Sequence, residues 1–344
     1  MQEKAKNRFL IVRTDKIGDV ILTIPVISNI RSAYPDAYIG FLGREYTRKI
    51  LENNKNLNEF IVYDPDGGHR GLKGTLNLAD LLKKYRFDAA ISVFPVFKTA
   101  LAIYLAKIPV RIGVGYRWFS FLYNKKEYFH RSKVEKHELE YNLDLLKPLG
   151  VEVKDKNTGI FLSDAEKAFA DNFAAENGLN GAGKLISVHP GKTESALNWS
   201  IKNYIELINK FSGLQGVKAV LVEGKNEEGV TGGVLKGLNK KIAVLKSDAD
   251  IKQVAAVIAK MNLHISGNTG TMHIAASVGT PTLSFFNPVR VVSPKRWGPW
   301  GNKSVTMQPE GLECARCKKD KCNKFNCMDL IKVDDVFSKV KELL

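Results

Sequence analysis

The segment Phe9-Leu10-Ile11-Val12-Arg13-Thr14-Asp15-Lys16-Ile17-Gly18-Asp19-Val20 joins a short apolar run to a polar, glycine-containing turn. Four consecutive apolar residues suit a strand buried on both faces, and the turn leads into a helix starting near Asp19. The same alternation recurs outward from this segment. Further strands are expected at Tyr38 to Leu42, Phe60 to Tyr63, Ala89 to Val93 and Val110 to Val114. Helical patterns fall at Leu76 to Lys84, Ala100 to Lys107 and His137 to Leu149. Strands that alternate with helices stack as βα units around a parallel sheet.

A polar stretch from Glu152 to Thr158 interrupts the series. Ser163-Asp164-Ala165-Glu166 then reads as a capping box opening a helix to about Asn177, which the glycines of Gly178 to Gly183 stop. A second α/β series begins at Leu185 to Val188. It continues through Ala219 to Val222, Ile242 to Leu245, Leu263 to Ser266 and Thr282 to Phe286. With one domain per ~150 residues as a guide, 344 residues make two. We place them at 1–160 and 161–344, the linker falling between residues 150 and 183.

Composition narrows the partners. The chain is 44% apolar and 26% charged, which excludes a disordered polymer. Its 52 basic against 36 acidic residues leave +16, a balance that favours anionic partners such as nucleic acid, acidic lipid or phosphorylated small molecules. The apolar run at Phe9 is broken by Arg13 and Asp15, too soon for a secretory signal, and no stretch approaches the ~18 apolar residues of a spanning helix. A cytoplasmic protein, held peripherally at an inner membrane, is expected.

Two P-loop imitations fail. Gly178 to Lys184 has Leu185 where the Mg²⁺-binding hydroxyl belongs and precedes a strand, and Gly191-Lys192-Thr193 has Ile186 at the required first glycine. The carboxylate pairs at Asp64/Asp66 and Asp248/Asp250 suit a turn and a helix cap better than a metal. Cys314-x2-Cys317-x4-Cys322-x4-Cys327 offers four thiols for a structural zinc, although only the first pair has the usual spacing; reduced thiols or local disulfides fit equally.

The turn from Arg13 to Val20 reads two ways from its chemistry. It is a ligand loop at the carboxyl end of a strand, where open α/β sheets bind, or a tight turn with an aspartate N-cap. Its counterpart is His264-Ile265-Ser266-Gly267-Asn268-Thr269-Gly270-Thr271-Met272-His273, a strand running into a Gly/Asn/Thr turn and a helix start. Backbone N–H groups and hydroxyls there make a diphosphate cradle without metal. Ser187 to Thr193 follows another strand end in the same half.

Taken in order, these motifs resemble glycosyltransferase family 9, the lipopolysaccharide heptosyltransferases, over nearly the whole chain. The resemblance rests on Arg13 to Val20, His189-Pro190-Gly191, Ser266 to Gly270 and Met272-His273-Ile274-Ala275-Ala276. His137-Glu138-Leu139-Glu140-Tyr141-Asn142, Arg296-Trp297-Gly298-Pro299 and the cysteine tail support it. It implies a GT-B fold: two Rossmann-like α/β domains facing across a cleft, acceptor on the N-terminal one, nucleotide sugar on the C-terminal one. The final helix is expected to pack back on the N-terminal domain.

The resemblance also implies an inverting transfer, heptose from ADP-heptose, that requires no cofactor. Asp19 falls at the family's catalytic acid and would serve as base. Lys192, Thr193, Asn268, Thr269, Gly270, Thr271 and His273 would bind the donor; Asp15, Lys16, Gly18 and Arg117 the acceptor. That acceptor is expected to be a phosphorylated lipid-sugar on an anionic membrane, met by the basic aromatic stretch around Arg117. Two positions depart from the family: Leu197 stands where a Lys is frequent, and Asn268 where heptosyltransferases carry Asp. Other readings are a different nucleotide sugar, a non-catalytic glycan- or nucleotide-binding module, or a basic nucleic-acid-binding protein. No zinc-finger, RNP or helix-turn-helix pattern supports the last, so no nucleic acid is expected as partner.

Overall fold

The computed structural model describes residues 7–191, 197–301, 303–317, 322 and 326–344. The chain forms two compact units, Met1–Phe161 and Leu162–Leu344.

In the first unit the strands are β1 (Arg8–Val12), β2 (Tyr38–Gly43), β3 (Glu59–Val62), β4 (Ala89–Ser92), β5 (Val110–Val114) and β6 (Lys125–Glu127). Every pairing is parallel, in the order β3-β2-β1-β4-β5-β6. Leu10, Ile11 and Val12 are fully buried, as a central strand covered by helices on both faces requires. Leu10 lies opposite Gly40 on one side and Ala90 on the other. Gly40 has to be small, because a Cβ there would stand 2.7 Å from the Phe87 ring. β6 was not expected: Lys-Lys-Glu has no apolar alternation, and backbone pairing with β5 holds it at the sheet edge.

The second unit repeats the plan with β7 (Lys184–His189), β8 (Val217–Val222), β9 (Ala243–Leu245), β10 (Leu263–Gly267), β11 (Thr282–Phe285) and β12 (Ser304–Met307). All are parallel, in the order β12-β11-β10-β7-β8-β9. Counted from its own first strand, this is the order of the first unit, the Rossmann order. The side on which successive strands are added switches between β1 and β4, and again between β7 and β10. Loops leaving those neighbours run to opposite sides and open a crevice at the strands' carboxyl ends.

Local sequence sets the helix starts. Ser163 and Glu166 close the expected capping box on the helix Asp164–Glu176, and Asp250 accepts from Lys252 and Gln253 to cap Ile251–Ala259. One start differs. The helix after β1 begins at Ile17 with Lys16 as N-cap, so Asp19 occupies the first turn rather than the cap. That placement frees its carboxylate from backbone capping.

The second unit's core gathers Trp199, Tyr204, Phe285 and the chain's last helix, Val333–Leu343. That helix, expected on the N-terminal domain, packs against the helix Ile201–Ser212 of its own unit. Its apolar face, Val333, Val336 and Val340, is buried there, while Asp334, Lys339 and Glu342 stay polar and outward in composition. Trp199 is the anchor: 3% exposed, its ring centroid is 4.3 Å from Phe285 and its Nε1 donates to the Ile331 carbonyl at 2.9 Å. Trp199→Ala is expected to cost about 3–5 kcal/mol, read as a lower denaturation midpoint.

Candidate active site

The first candidate site is built on a buried guanidinium. Arg13 leaves the end of β1 with 1% exposure. Its Nε donates to Asp15 at 2.7 Å, its Nη1 to Glu138 and Asn142 at 3.2 Å each, and its Nη2 to Asp19. Arg131 pairs with the same Glu138 at 3.2 Å and donates to Asn142 at 3.1 Å. Asn142 in turn donates to the Leu22 carbonyl at 3.0 Å, tying the helix Glu138–Asp144 to the turn after β1.

Two guanidinium groups thus face three carboxylates, Asp15, Asp19 and Glu138. One negative charge is in excess, and burial makes it costly. Asp19 is pushed up to about 7, first by burial and then by Asp15 and Glu138, with Arg13 opposing. Burial works against the Arg13 charge too, but its three acids outweigh it and keep the guanidinium firmly charged. The Asp19 side chain remains 13% exposed. A carboxylate with a proton affinity near neutrality, reachable from solvent, is suited to taking a proton from a hydroxyl.

Of the proposed acceptor residues, this network gathers Asp15 beside Asp19. Gly18 is buried in the same turn and Lys16 is exposed. Arg117 is exposed on the turn after β5, the second strand from β1.

The second candidate site lies at the carboxyl ends of β7, β8 and β10. His189 ends β7 and is 5% exposed; its Nε2 is 3.0 Å from Glu227 Oε2, and its Nδ1 is 3.4 Å from the Thr269 hydroxyl. Glu227 also accepts from the Gly224 backbone at 3.0 Å. Thr269 and Thr271 share a hydroxyl–hydroxyl bond of 2.9 Å. Thr269 is the N-cap of the helix Gly270–Ser277 but makes no side-chain cap bond. The first N–H groups of that helix are therefore not taken by its cap, and they carry the positive end of the helix dipole.

Asn268 donates to the Val292 carbonyl at 3.3 Å, joining the cradle to the loop before Arg296 and Trp297. His273 is buried in the same helix. His264 is a core histidine, 2.8 Å from Ser187 and pushed down to about 3 by burial first and His189 second, so it stays neutral. Lys192 and Thr193 lie outside the described residues.

Sequence reasoning missed Glu227. Lys-Asn-Glu-Glu after a strand reads as an ordinary acidic helix start, and only the fold brings it to His189. Glu138 and Asn142 stood out as a motif, yet nothing in the sequence tied them to Arg13.

The four thiols line one cavity of about 410 Å³ with Leu197, Asn287, Pro288, Val289 and Arg316. Cys327 is pushed up by burial and by the other three cysteines, which favours the thiol over the thiolate. Among the described residues no three His, Cys, Asp or Glu side chains are arranged to hold a metal ion. Leu197 faces this apolar cavity instead of carrying a charge.

The chain as a whole has known relatives. Residues 75–327 match the model of glycosyltransferase family 9 (heptosyltransferase), and the chain belongs to that family. It is 24% identical to lipopolysaccharide heptosyltransferase 3 of Escherichia coli, over 95% of both chains. A family 9 glycosyltransferase structure from Veillonella parvula superposes with a TM-score of 0.88 at 22% identity, over 99% of this chain and 98% of that one. The Escherichia coli heptosyltransferase WaaC with ADP gives 0.74 at 20%, over 98% and 100%. These likenesses show the GT-B fold; the family makes the protein a glycosyltransferase. Among the described residues no helix is long and apolar enough to cross a membrane.

The charge excess makes a two-sided test. Glu138→Gln removes a like charge and lowers the Asp19 pKa; Arg13→Met removes the opposing cation and raises it. Carboxyl carbon NMR titration reads both. Between the ordinary carboxylate range and about 7, folded Asp19 keeps a proton that the unfolded chain has released. Stability from this group is therefore present at low pH and lost as pH rises through about 7.

Proposed function

We propose that the protein is an inverting glycosyltransferase that moves a sugar, heptose from ADP-heptose first among donors, onto a lipopolysaccharide core or related bacterial surface glycan without a metal ion. The observation that carries this is Asp19: a reachable carboxylate at the end of β1, poised near neutrality by a buried charge excess, in a family 9 chain. The donor sugar follows the relatives, a heptosyltransferase over 95% of the chain and an ADP-bound one of the same fold.

In this reading Asp19 takes the proton of the acceptor hydroxyl as that oxygen attacks the anomeric carbon on the face opposite the diphosphate. The carbon–oxygen bond to the diphosphate breaks, and positive charge develops on the ring. Arg13 stabilises the ionised state of Asp19 before attack and holds its orientation. Negative charge gathers on the leaving diphosphate. The N–H groups of Gly270 and Thr271 and the Thr269 and Thr271 hydroxyls supply donors for it, with the His189–Glu227 pair beside Thr269. Asp15, Lys16, Gly18 and Arg117 are assigned to the acceptor, and His273, Lys192, Thr193 and Asn268 to the donor.

A second donor is favoured by particular observations. Leu197 lines the cysteine cavity, so it brings no phosphate charge, and Asn268 replaces a family aspartate. Both changes bear on which nucleotide sugar binds and not on the Asp19 chemistry.

Asp19→Asn is expected to lower transfer about 10²- to 10⁴-fold while the chain still folds, read by circular dichroism. Activity should fall as pH drops below about 7, because the base must be ionised. Retained activity in Asp19→Asn removes it as base. In a thermal-shift panel of ADP, UDP, GDP and CDP, ADP at a hundredfold excess over Kd is expected to stabilise by about 2.7 kcal/mol, with or without EDTA. Selectivity for another nucleotide keeps glycosyl transfer and discards heptose.

A further inference from the structure

The first unit carries an aromatic surface that its own core does not use. Trp118 is 73% exposed and Phe121 68%, large apolar side chains that folding ordinarily covers. Neither sits on a loose loop. Phe121 belongs to the 3-10 turn Ser120–Leu122, between Phe119, Ser120, Leu122 and Tyr123, all at most 5% exposed. The Ser120 hydroxyl donates to the Val114 carbonyl at 2.8 Å and accepts from the Arg117 backbone at 2.9 Å. Trp118 packs tilted against Phe97, ring centroids 4.7 Å apart, and Phe97 is itself 36% exposed. The fold therefore holds both rings outward on a pinned turn.

Charge around the turn has one sign. Residues 94–133 contain eight basic side chains and one acidic, Glu127, a local balance of +7. Lys98, Lys107, Arg117, Lys125, Lys126 and Lys133 are all exposed. Lysines on the edge strand β6 are one way to block edge pairing, but that need does not place tryptophan and phenylalanine beside them.

We propose that this turn docks on an anionic lipid bilayer, with Trp118 and Phe121 entering the headgroup region and the surrounding Lys and Arg side chains meeting lipid phosphates. Aromatic rings favour the membrane–water interface, and long cationic side chains lay their stems along apolar surface while keeping their charge in the headgroups. Duplex nucleic acid answers the charge but offers no apolar layer for rings held outward. Because the surface follows β5 in the unit that carries Asp19, docking would bring that unit to the membrane where a lipid-linked acceptor resides. The docking itself is read without turnover, so its failure and the failure of the transfer reading are separate results.

The test is sedimentation of the full chain with vesicles of phosphatidylcholine alone and of equal parts phosphatidylcholine and phosphatidylglycerol. Binding to the anionic vesicles only, weakened by salt, is expected. Trp118→Ser with Phe121→Ser should lower it roughly tenfold or more, and Lys125→Gln with Lys126→Gln roughly tenfold. Brominated lipid should quench the wild-type tryptophan fluorescence, and Trp118→Phe should bind while losing that quenching. Equal binding to neutral vesicles, unchanged binding by the doubly substituted aromatic variant, unchanged quenching in Trp118→Phe, or tighter binding to duplex DNA than to anionic vesicles would overturn the proposal.

Discussion

The burial of Arg13 is the constraint on which the first unit's chemistry depends. A guanidinium with 1% exposure at the end of a central strand needs protein acceptors in place of water. It finds them in Asp15 and Asp19 on its own turn and in Glu138 and Asn142, 125 and 129 residues away in sequence. One side chain thereby fixes the turn, the helix that follows the basic aromatic stretch, and the acid that would do the work. The carboxylates outnumber the two guanidinium groups, so the surplus charge falls on the member best able to hold a proton. A perturbed proton affinity here is a product of packing, not an accident of the local sequence.

The two units share a strand order but solve different electrostatic problems. The first concentrates charge: arginines and carboxylates brought together at the end of β1. The second uses mainly neutral donors at the ends of β7 and β10, hydroxyls and backbone N–H groups, with the His189–Glu227 pair beside them. A proton acceptor needs a tuned charge, whereas a diphosphate needs donors that are fixed before it arrives. Each sheet opens the same kind of crevice where its strand order changes side, and different lining residues suit it to different chemistry without changing the sheet.

Much of this was legible in the sequence. Val110–Val114 matched its expected bounds, and the other buried strands appeared within a residue or two, because strands covered on both faces read as plain apolar runs. The two that escaped, β6 and β12, lie at sheet edges, where Lys125-Lys126-Glu127 and the partly exposed Ser304–Met307 need no apolar run. Asp19 and Thr269 to Thr271 stood out because each lies where a strand's exit turn runs into a helix start. Glu138 and Glu227 were not assigned roles, since their partners lie 125 and 38 residues distant and long-range pairing leaves no periodic trace. Arg13 itself stood within a quoted motif, but nothing short of the fold marks an arginine as buried.

The placement of the last helix sets an order of events during synthesis. The core of the second unit is closed by Val333, Val336 and Val340, and Val333 lies 172 residues beyond Phe161, where the first unit ends. At 5–20 residues per second a ribosome takes about 10 to 35 s to cover that distance. Throughout that interval the Arg13 cluster has every residue it needs, while the second unit still presents the open side of its sheet to chaperones and proteases. A nascent chain therefore holds a complete Arg13 cluster long before the core of its second unit can close.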